Sequence, residues 1–370
     1  MTAPAPAPAI PPAFTRVNRP LFVVTILVGS FLLFMIQPMV ARMALPKLGG
    51  APNVWNSAML VYQALLLAGY AYAHRLSQMP MQRQAKVHLI LLLVAAVTLP
   101  IGLVDLPAPR PGSEVWWVPL LFLGSVGPVF FLVSAQAPLM QRWYAAHPGA
   151  GEPWALYAAS NLGSFAGLIA YPLVAEPLLR LHAQSVMWSV GYGLLIVLIA
   201  LSARARWQMA APAADIAPAE AAPPVGTRRF LHWTVLAAVP SGLLLSTTTH
   251  LTTDIFAMPL LWVIPLAVYL LSFVVAFSER RVLADLITMI APAMLLLAGG
   301  MAMASRATGL LSLAVGSVGM LFVVAVTLHA RMYALRPAAS QLTLFYLAMS
   351  LGGALGGAFT ALVAPLVFDW

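Results

Sequence analysis

Cysteine is absent from this 370-residue sequence. No disulfide framework, Cys-based metal site or thiol nucleophile is therefore available. Charge is nearly as scarce. Asp, Glu, Lys and Arg together make up 8% of the chain, and only ten residues are acidic. A soluble domain carries roughly 25% charged residues. So few charges cannot cover a water-facing surface, which excludes a soluble enzyme as a reading of the whole chain. Wholesale disorder is excluded too, because 62% of the residues are apolar and disordered chains are poor in such residues. What is present is long apolar sequence, with a mean hydropathy of +0.91. That is the composition of a polytopic membrane protein. The formal net charge is +9. In a membrane chain an excess of Lys and Arg is the positive-inside signature, so nucleic acid is not an expected partner.

A helix needs ~20 mostly apolar residues to cross the hydrocarbon core. Residues 1–20 form a Pro/Ala tail that cannot bury a core and is expected to be disordered. Leu21 to Ala41 carries no charge. It outlasts the ~7–15-residue apolar core of a signal peptide, so it reads as a first span. About eleven spans are expected, at 21–45, 54–74, 87–104, 115–141, 154–179, 184–203, 231–253, 257–277, 284–304, 309–331 and 340–367. The Pro/Ala-rich stretch 204–229 separates six from five. It reads as a linker between an N-terminal half, 21–203, and a C-terminal half, 230–370. With the N-terminus in the cytoplasm, fourteen Lys and Arg fall on the cytoplasmic side and five on the other. That split sets the expected orientation, with the linker cytoplasmic.

The halves repeat. Gly124-Ser125-Val126-Gly127 recurs as Gly316-Ser317-Val318-Gly319, at an offset of 192. Tyr157, Ala159, Leu162, Gly163 and Gly167 recur as Tyr346, Ala348, Leu351, Gly352 and Gly356, at an offset of 189. Trp55 and Tyr62 recur as Trp262 and Tyr269, at an offset of 207. Matching spans run the same way through the membrane, so the repeats are parallel. That is the relation between the halves of major facilitator transporters. The expected fold is an all-α, two-half bundle of that kind. The second half has five spans to the first half's six, so a truncation or a split chain is expected to account for the twelfth.

Several stretches carry a family resemblance: Gln37 to Arg42, Leu48 to Asn56, Ala68 to His74, Ala137 to Tyr144 and Leu156 to Leu178. Over residues 21–368 the chain resembles the membrane module of bacterial fused major facilitator/spermidine synthase proteins. The resemblance implies a multi-pass protein of the bacterial inner membrane, in contact with the lipid bilayer and moving an unidentified small solute. The alternative it implies is a membrane domain that anchors or serves a spermidine synthase-like domain or partner. Many relatives carry Glu where Gln37 stands. No strand followed by G-x-G-x-x-G occurs here, so the aminopropyltransferase chemistry does not carry over. No catalytic residue, cofactor or metal site is expected.

Ionisable groups inside a membrane are the default functional candidates, and none of the acidic residues falls near the middle of a span. A polyamine path would want such carboxylates, so polyamine transport is disfavoured. In a major facilitator arrangement spans 1, 4, 7 and 10 line the cavity. The polar residues there make Gln37, Arg42, Ser134, Gln136, Thr247, His250, Asp254 and Thr327 the candidate solute contacts. Two readings of the run Ser246 to Asp254 stay open: a cavity wall, or hydroxyls bonded back to their own helix with His250 at the interface. Aligning Gly29 with Gly242, an offset of 213, pairs Gln37 with His250 across the cavity, with Arg42 and Asp254 at its mouth. Gly163, Gly167, Gly352 and Gly356 form small-xxx-small pairs that allow close helix packing. In the same arrangement they are expected where the halves slide.

Overall fold

The computed structural model describes residues 18–48, 52–107, 114–146, 154–208, 225–255, 261–278, 280–303, 310–338 and 341–368. The tail to residue 17 and the linker from 209 to 224 lie outside the described residues.

All described elements are helical. The N-terminal half holds α1 (Arg19–Leu48), α2 (Pro52–Leu76), α3 (Met81–Ala95), α4 (Glu114–Ala145), α5 (Trp154–Ala170) and α6 (Leu181–Gln208). The C-terminal half holds α7 (Thr227–His250), α8 (Val263–Ala276), α9 (Val282–Met303), α10 (Leu310–Ala334) and α11 (Leu342–Ala358). Eight of these, counted with their continuations, are long and apolar enough to cross a membrane. α8 is apolar but has 14 residues. At ~1.5 Å per residue it falls short of a ~30 Å hydrocarbon core. α3 has 15 residues. It ends in a tight turn, Ala96–Thr98, because Pro100 cannot continue a helix and biases Leu99 to extended backbone. α6 runs on to Gln208, so Arg204 and Arg206 belong to the helix and not to the linker.

α5 and α11 both loosen at the same place in the repeat. α5 passes into a π-turn, Tyr171–Ala175, and α11 into one at Phe359–Val363. Pro172 in one and Pro365 just after the other remove a backbone donor, and a wider turn absorbs the loss.

Four close contacts set backbone on backbone. A Cβ at Gly163 would overlap the Leu27 carbonyl, and one at Gly167 the Phe31 carbonyl. A Cβ at Gly352 would overlap the Thr234 carbonyl, and one at Gly356 the Ala238 carbonyl. Without a hydrophobic drive between helices in lipid, this close approach supplies the packing. All four glycines face the first helix of their own half. They are not at the boundary between halves, where sliding was expected of them. The reason is local: these four glycines face α1 and α7, while Tyr157 of α5 and Tyr346 of α11 reach aromatic rings of the opposite half.

These contacts also fix the register of the repeat. Gly163 and Gly352 are 189 apart, and their partners Leu27 and Thr234 are 207 apart. Gly167 and Gly356 with Phe31 and Ala238 give the same two offsets. The offset between α1 and α7 is therefore 207 and not the 213 taken from Gly29 and Gly242.

Helix neighbours repeat in the same way. α1 packs on α4 and α5, and α7 packs on α10 and α11. α2 packs on α4, and α8 on α10. Across the boundary, α2 meets α11 while α5 meets α8. Exchanging the halves turns each of these cross-boundary pairs into the other, as a two-fold axis along the bundle requires. One core, including Trp143, Trp188 and Tyr192, fills the N-terminal half. A second, around Trp233 and Phe345, fills the C-terminal half and takes in Tyr157 from the first.

Candidate functional site: a cavity between the halves

A cavity of about 180 Å³ lies on the boundary between the halves. Equivalent positions line it from both sides. With the 207 offset these are Met59 and Leu266, Tyr62 and Tyr269, Gln63 and Leu270, and Leu66 and Phe273. With the 189 offset they are Tyr157 and Tyr346, Ser160 and Met349, Asn161 and Ser350, and Ser164 and Gly353. The α1 and α7 register adds Phe34 opposite Ser241 and Gln37 opposite Leu244. The cavity therefore straddles the pseudo-two-fold axis.

Towards the helix ends that carry Arg75, Arg142 and Arg336, aromatic rings close the boundary. Tyr157 and Tyr346, which the axis exchanges, stack on each other with centroids 5.6 Å apart and planes 6° from parallel. Tyr70 lies 6.1 Å from Tyr346, and Phe277 lies 4.4 Å from Tyr157. The Tyr346 hydroxyl donates to Gln141 Oε1. Nearer that end, His74 Nδ1 and Thr343 Oγ1 are hydrogen-bonded at 3.0 Å.

Part of the polar wall is self-satisfied. Ser30 and Ser160 share a hydrogen bond of 2.9 Å between α1 and α5. Gln63 Nε2 donates to Ser241 Oγ across the boundary at 3.3 Å, and Ser241 Oγ donates to the Gly353 carbonyl at 2.9 Å. Four buried polar atoms on lining residues have no hydrogen-bond partner: Tyr62 Oη, Gln63 Oε1, Asn161 Nδ2 and Ser350 Oγ. Asn161 lies against the Tyr157 hydroxyl, yet its Nδ2 lacks a partner at hydrogen-bonding geometry. Each such atom left unsatisfied costs about 1–3 kcal/mol. Unpartnered polar atoms gathered at one cavity are what a ligand site presents. Among the described residues, none that lines the cavity is Asp, Glu, Lys, Arg or His. Among the described residues, no group of three His, Asp or Glu could hold a metal ion.

Of the residues singled out from sequence, the structure brings Gln37 and Ser134 to this cavity. Gln37 Nε2 donates to the Leu33 carbonyl, one turn back in a helix that contains Pro38. Ser134 Oγ donates to the Phe131 carbonyl. Gln136 sits behind the wall, its Nε2 on the Thr25 carbonyl at 3.0 Å and its Oε1 against Gly29. Arg42 pairs with Glu176 at 3.1 Å, away from the lining. Thr247 is buried outside the lining, and Thr327 donates to the Val323 carbonyl. His250 is half-buried at the end of α7 and does not line the cavity. In the observed register it is equivalent to Met43, and Leu244 stands opposite Gln37. The pairing of Gln37 with His250 is thereby corrected. The Asp254 side chain lies outside the described residues. The neighbouring hydroxyls bond to their own helix: Ser246 to the Leu243 carbonyl, Thr248 to Leu244 and Thr252 to Thr248. His329 is fully buried behind the wall, stacked on Phe273 with centroids 3.6 Å apart.

Sequence reasoning did not place Tyr62, Gln63, Asn161, Tyr269 and Ser350 at the cavity. The signal was there in the repeat. The matches at Tyr62 and Tyr269 and around Tyr157 and Tyr346 mark the positions that meet on the axis.

No protein-family model matches this sequence, and no curated protein matches it. Solved structures do match by shape. The human organic anion transporter MFSD10 superposes with a TM-score of 0.57 at 14% identity, over 95% of this chain and 94% of that one. The proton:xylose symporter XylE, bound to 6-bromo-6-deoxy-D-glucose, gives 0.57 at 11% identity, over 94% and 88%. A peptide transporter, POT, in complex with alafosfalin, gives 0.53 at 15%, over 94% and 89%. The shared arrangement is the one derived above from glycine contacts and helix neighbours: this multi-pass membrane protein has a major facilitator-like fold.

Proposed function

We propose that this protein is a secondary transporter that carries a small solute across the bacterial inner membrane by rocking its two halves about the central cavity. The observation that carries this reading is the cavity's position on the pseudo-two-fold axis, lined by equivalent residues of both halves. A site on the axis can be opened at either end by one relative rotation of the halves. The absence of native cysteine makes the test clean. A single cysteine in place of Gln63 is expected to react with membrane-impermeant thiol reagents from either face, in right-side-out and inside-out vesicles. Reaction from one face only would defeat alternating access.

The orientation we propose puts the N-terminus and the stretch 204–229, which contains the linker, in the cytoplasm, on the strength of the Lys and Arg split. A cysteine at position 215 should then label only in inside-out vesicles. The motif resemblance to fused major facilitator/spermidine synthase proteins supports a finer reading, in which the module works beside a spermidine synthase-like domain or partner. A synthase-like reading frame adjoining the gene would favour it, and its absence would count against it.

A further inference from the structure

We propose that the solute is uncharged and amphipathic, with a polar edge read by the N-terminal half and an apolar face held by the C-terminal half. This deepens the transporter reading above and rests on it.

The first ground is charge. Among the described residues, none that lines the cavity is ionisable near neutral pH. An ion entering it would lose its water and meet no countercharge, a cost that buried ions recover only from close, well-placed partners. A solute without charge avoids that cost.

The second ground is the unequal chemistry of equivalent positions. Gln63 is matched by Leu270, Gln37 by Leu244, and Ser160 by Met349. Ser164 is matched by Gly353, and Asn161 by the shorter Ser350. Only the pair of Phe34 and Ser241 reverses the trend, and Ser241 is already engaged by Gln63 and the Gly353 carbonyl. The repeats agree on shape and differ on polarity, so one wall is polar and the other apolar.

The third ground is the unpartnered atoms. Gln63 Oε1 can only accept, Asn161 Nδ2 can only donate, and the Tyr62 and Ser350 hydroxyls can do both. A group that both donates and accepts, such as a primary amide or an alcohol, satisfies that set. A carboxylate offers no donor, and an ammonium offers no acceptor. Size sets the last bound. A dry cavity of about 150 Å³ takes benzene, so about 180 Å³ suits a compact solute slightly larger than benzene.

Three probes of one shape separate the possibilities. Benzamide is neutral at pH 7, benzoate is an anion and benzylamine is a cation. Equilibrium binding of each, radiolabelled, is measured on the full chain in lipid nanodiscs. Benzamide is expected to bind saturably, with the two ions ~100-fold weaker. Asn161→Leu and Gln63→Leu, which keep the bulk and remove the amide, should each weaken benzamide about tenfold. Placement is checked with Ser350→Cys, measured before and after reaction with benzyl methanethiosulfonate, which should plug the cavity and remove benzamide binding. If an ion binds as tightly as benzamide and the plug removes it, the solute class is wrong while the site stands. If no probe shows binding that the plug removes, the class and the site both fall.

Discussion

Gly167→Leu and Gly356→Leu are expected to abolish folded protein in the membrane fraction, while Gly193→Leu leaves it nearly unchanged. The difference lies in what each added carbon meets. Cβ atoms at Gly167 and Gly356 would overlap the carbonyls of Phe31 and Ala238, which are backbone and cannot rotate aside. Gly193 is exposed on α6 with nothing within 4 Å. Overpacking costs about 1–3 kcal/mol per small intrusion, so Ala at the two packed positions should already lower the thermal midpoint. Leu adds three more carbons and forces α5 off α1, or α11 off α7. Fluorescence-detected size exclusion and a melting curve in detergent report the outcome. A Gly167→Leu protein as monodisperse and heat-stable as Gly193→Leu would show that these helices do not touch.

Removing the ring of Tyr346 should open the cavity towards the helix ends that carry Arg75 and Arg142. Tyr346 stacks on Tyr157 and donates to Gln141. A stacked aromatic pair contributes about 0.5–1.5 kcal/mol beyond its burial, and a hydrogen bond about 1 kcal/mol. Losing about 2 kcal/mol of closure raises the open population about 30-fold. In a Gln63→Cys background, Tyr346→Ala should speed labelling from that face by that factor. Tyr346→Phe keeps the stack and loses only the bond, so about fivefold is expected. Equal rates in all three proteins would mean that the rings do not form the barrier.

The reach of the sequence can be judged residue by residue. Apolar run length placed the helices, because a span must satisfy its own backbone and the bilayer fixes its length. The repeat was legible where a tyrosine and a glycine pair recur together, at Tyr157 with Gly163 and Tyr346 with Gly352. It was not legible in α1 and α7. Apolar sequence offers many single-glycine matches, and Gly29 with Gly242 was one of them. The true register depends on which carbonyl of α1 meets which glycine of α5, a contact more than a hundred residues apart. The run Ser246 to Thr253 drew attention by its hydroxyl content. Those hydroxyls lie within reach of their own carbonyls one turn back, and several are used there. Asn161 and Gln63 each had an ordinary structural use available, so their place in the wall emerged only when α2, α5 and α11 were seen to converge.

The two repeats agree where backbone meets backbone and differ in polarity at several positions that meet the cavity. A wall of two identical halves would offer any solute a pair of interchangeable poses, related by half a turn. Here Gln63 is matched by Leu270 and Gln37 by Leu244, so the two poses differ in energy and one prevails. The rotation that would open one end and close the other carries both walls as rigid bodies. A solute would therefore leave holding the same edge to the same half as when it entered, with no need to turn over in transit.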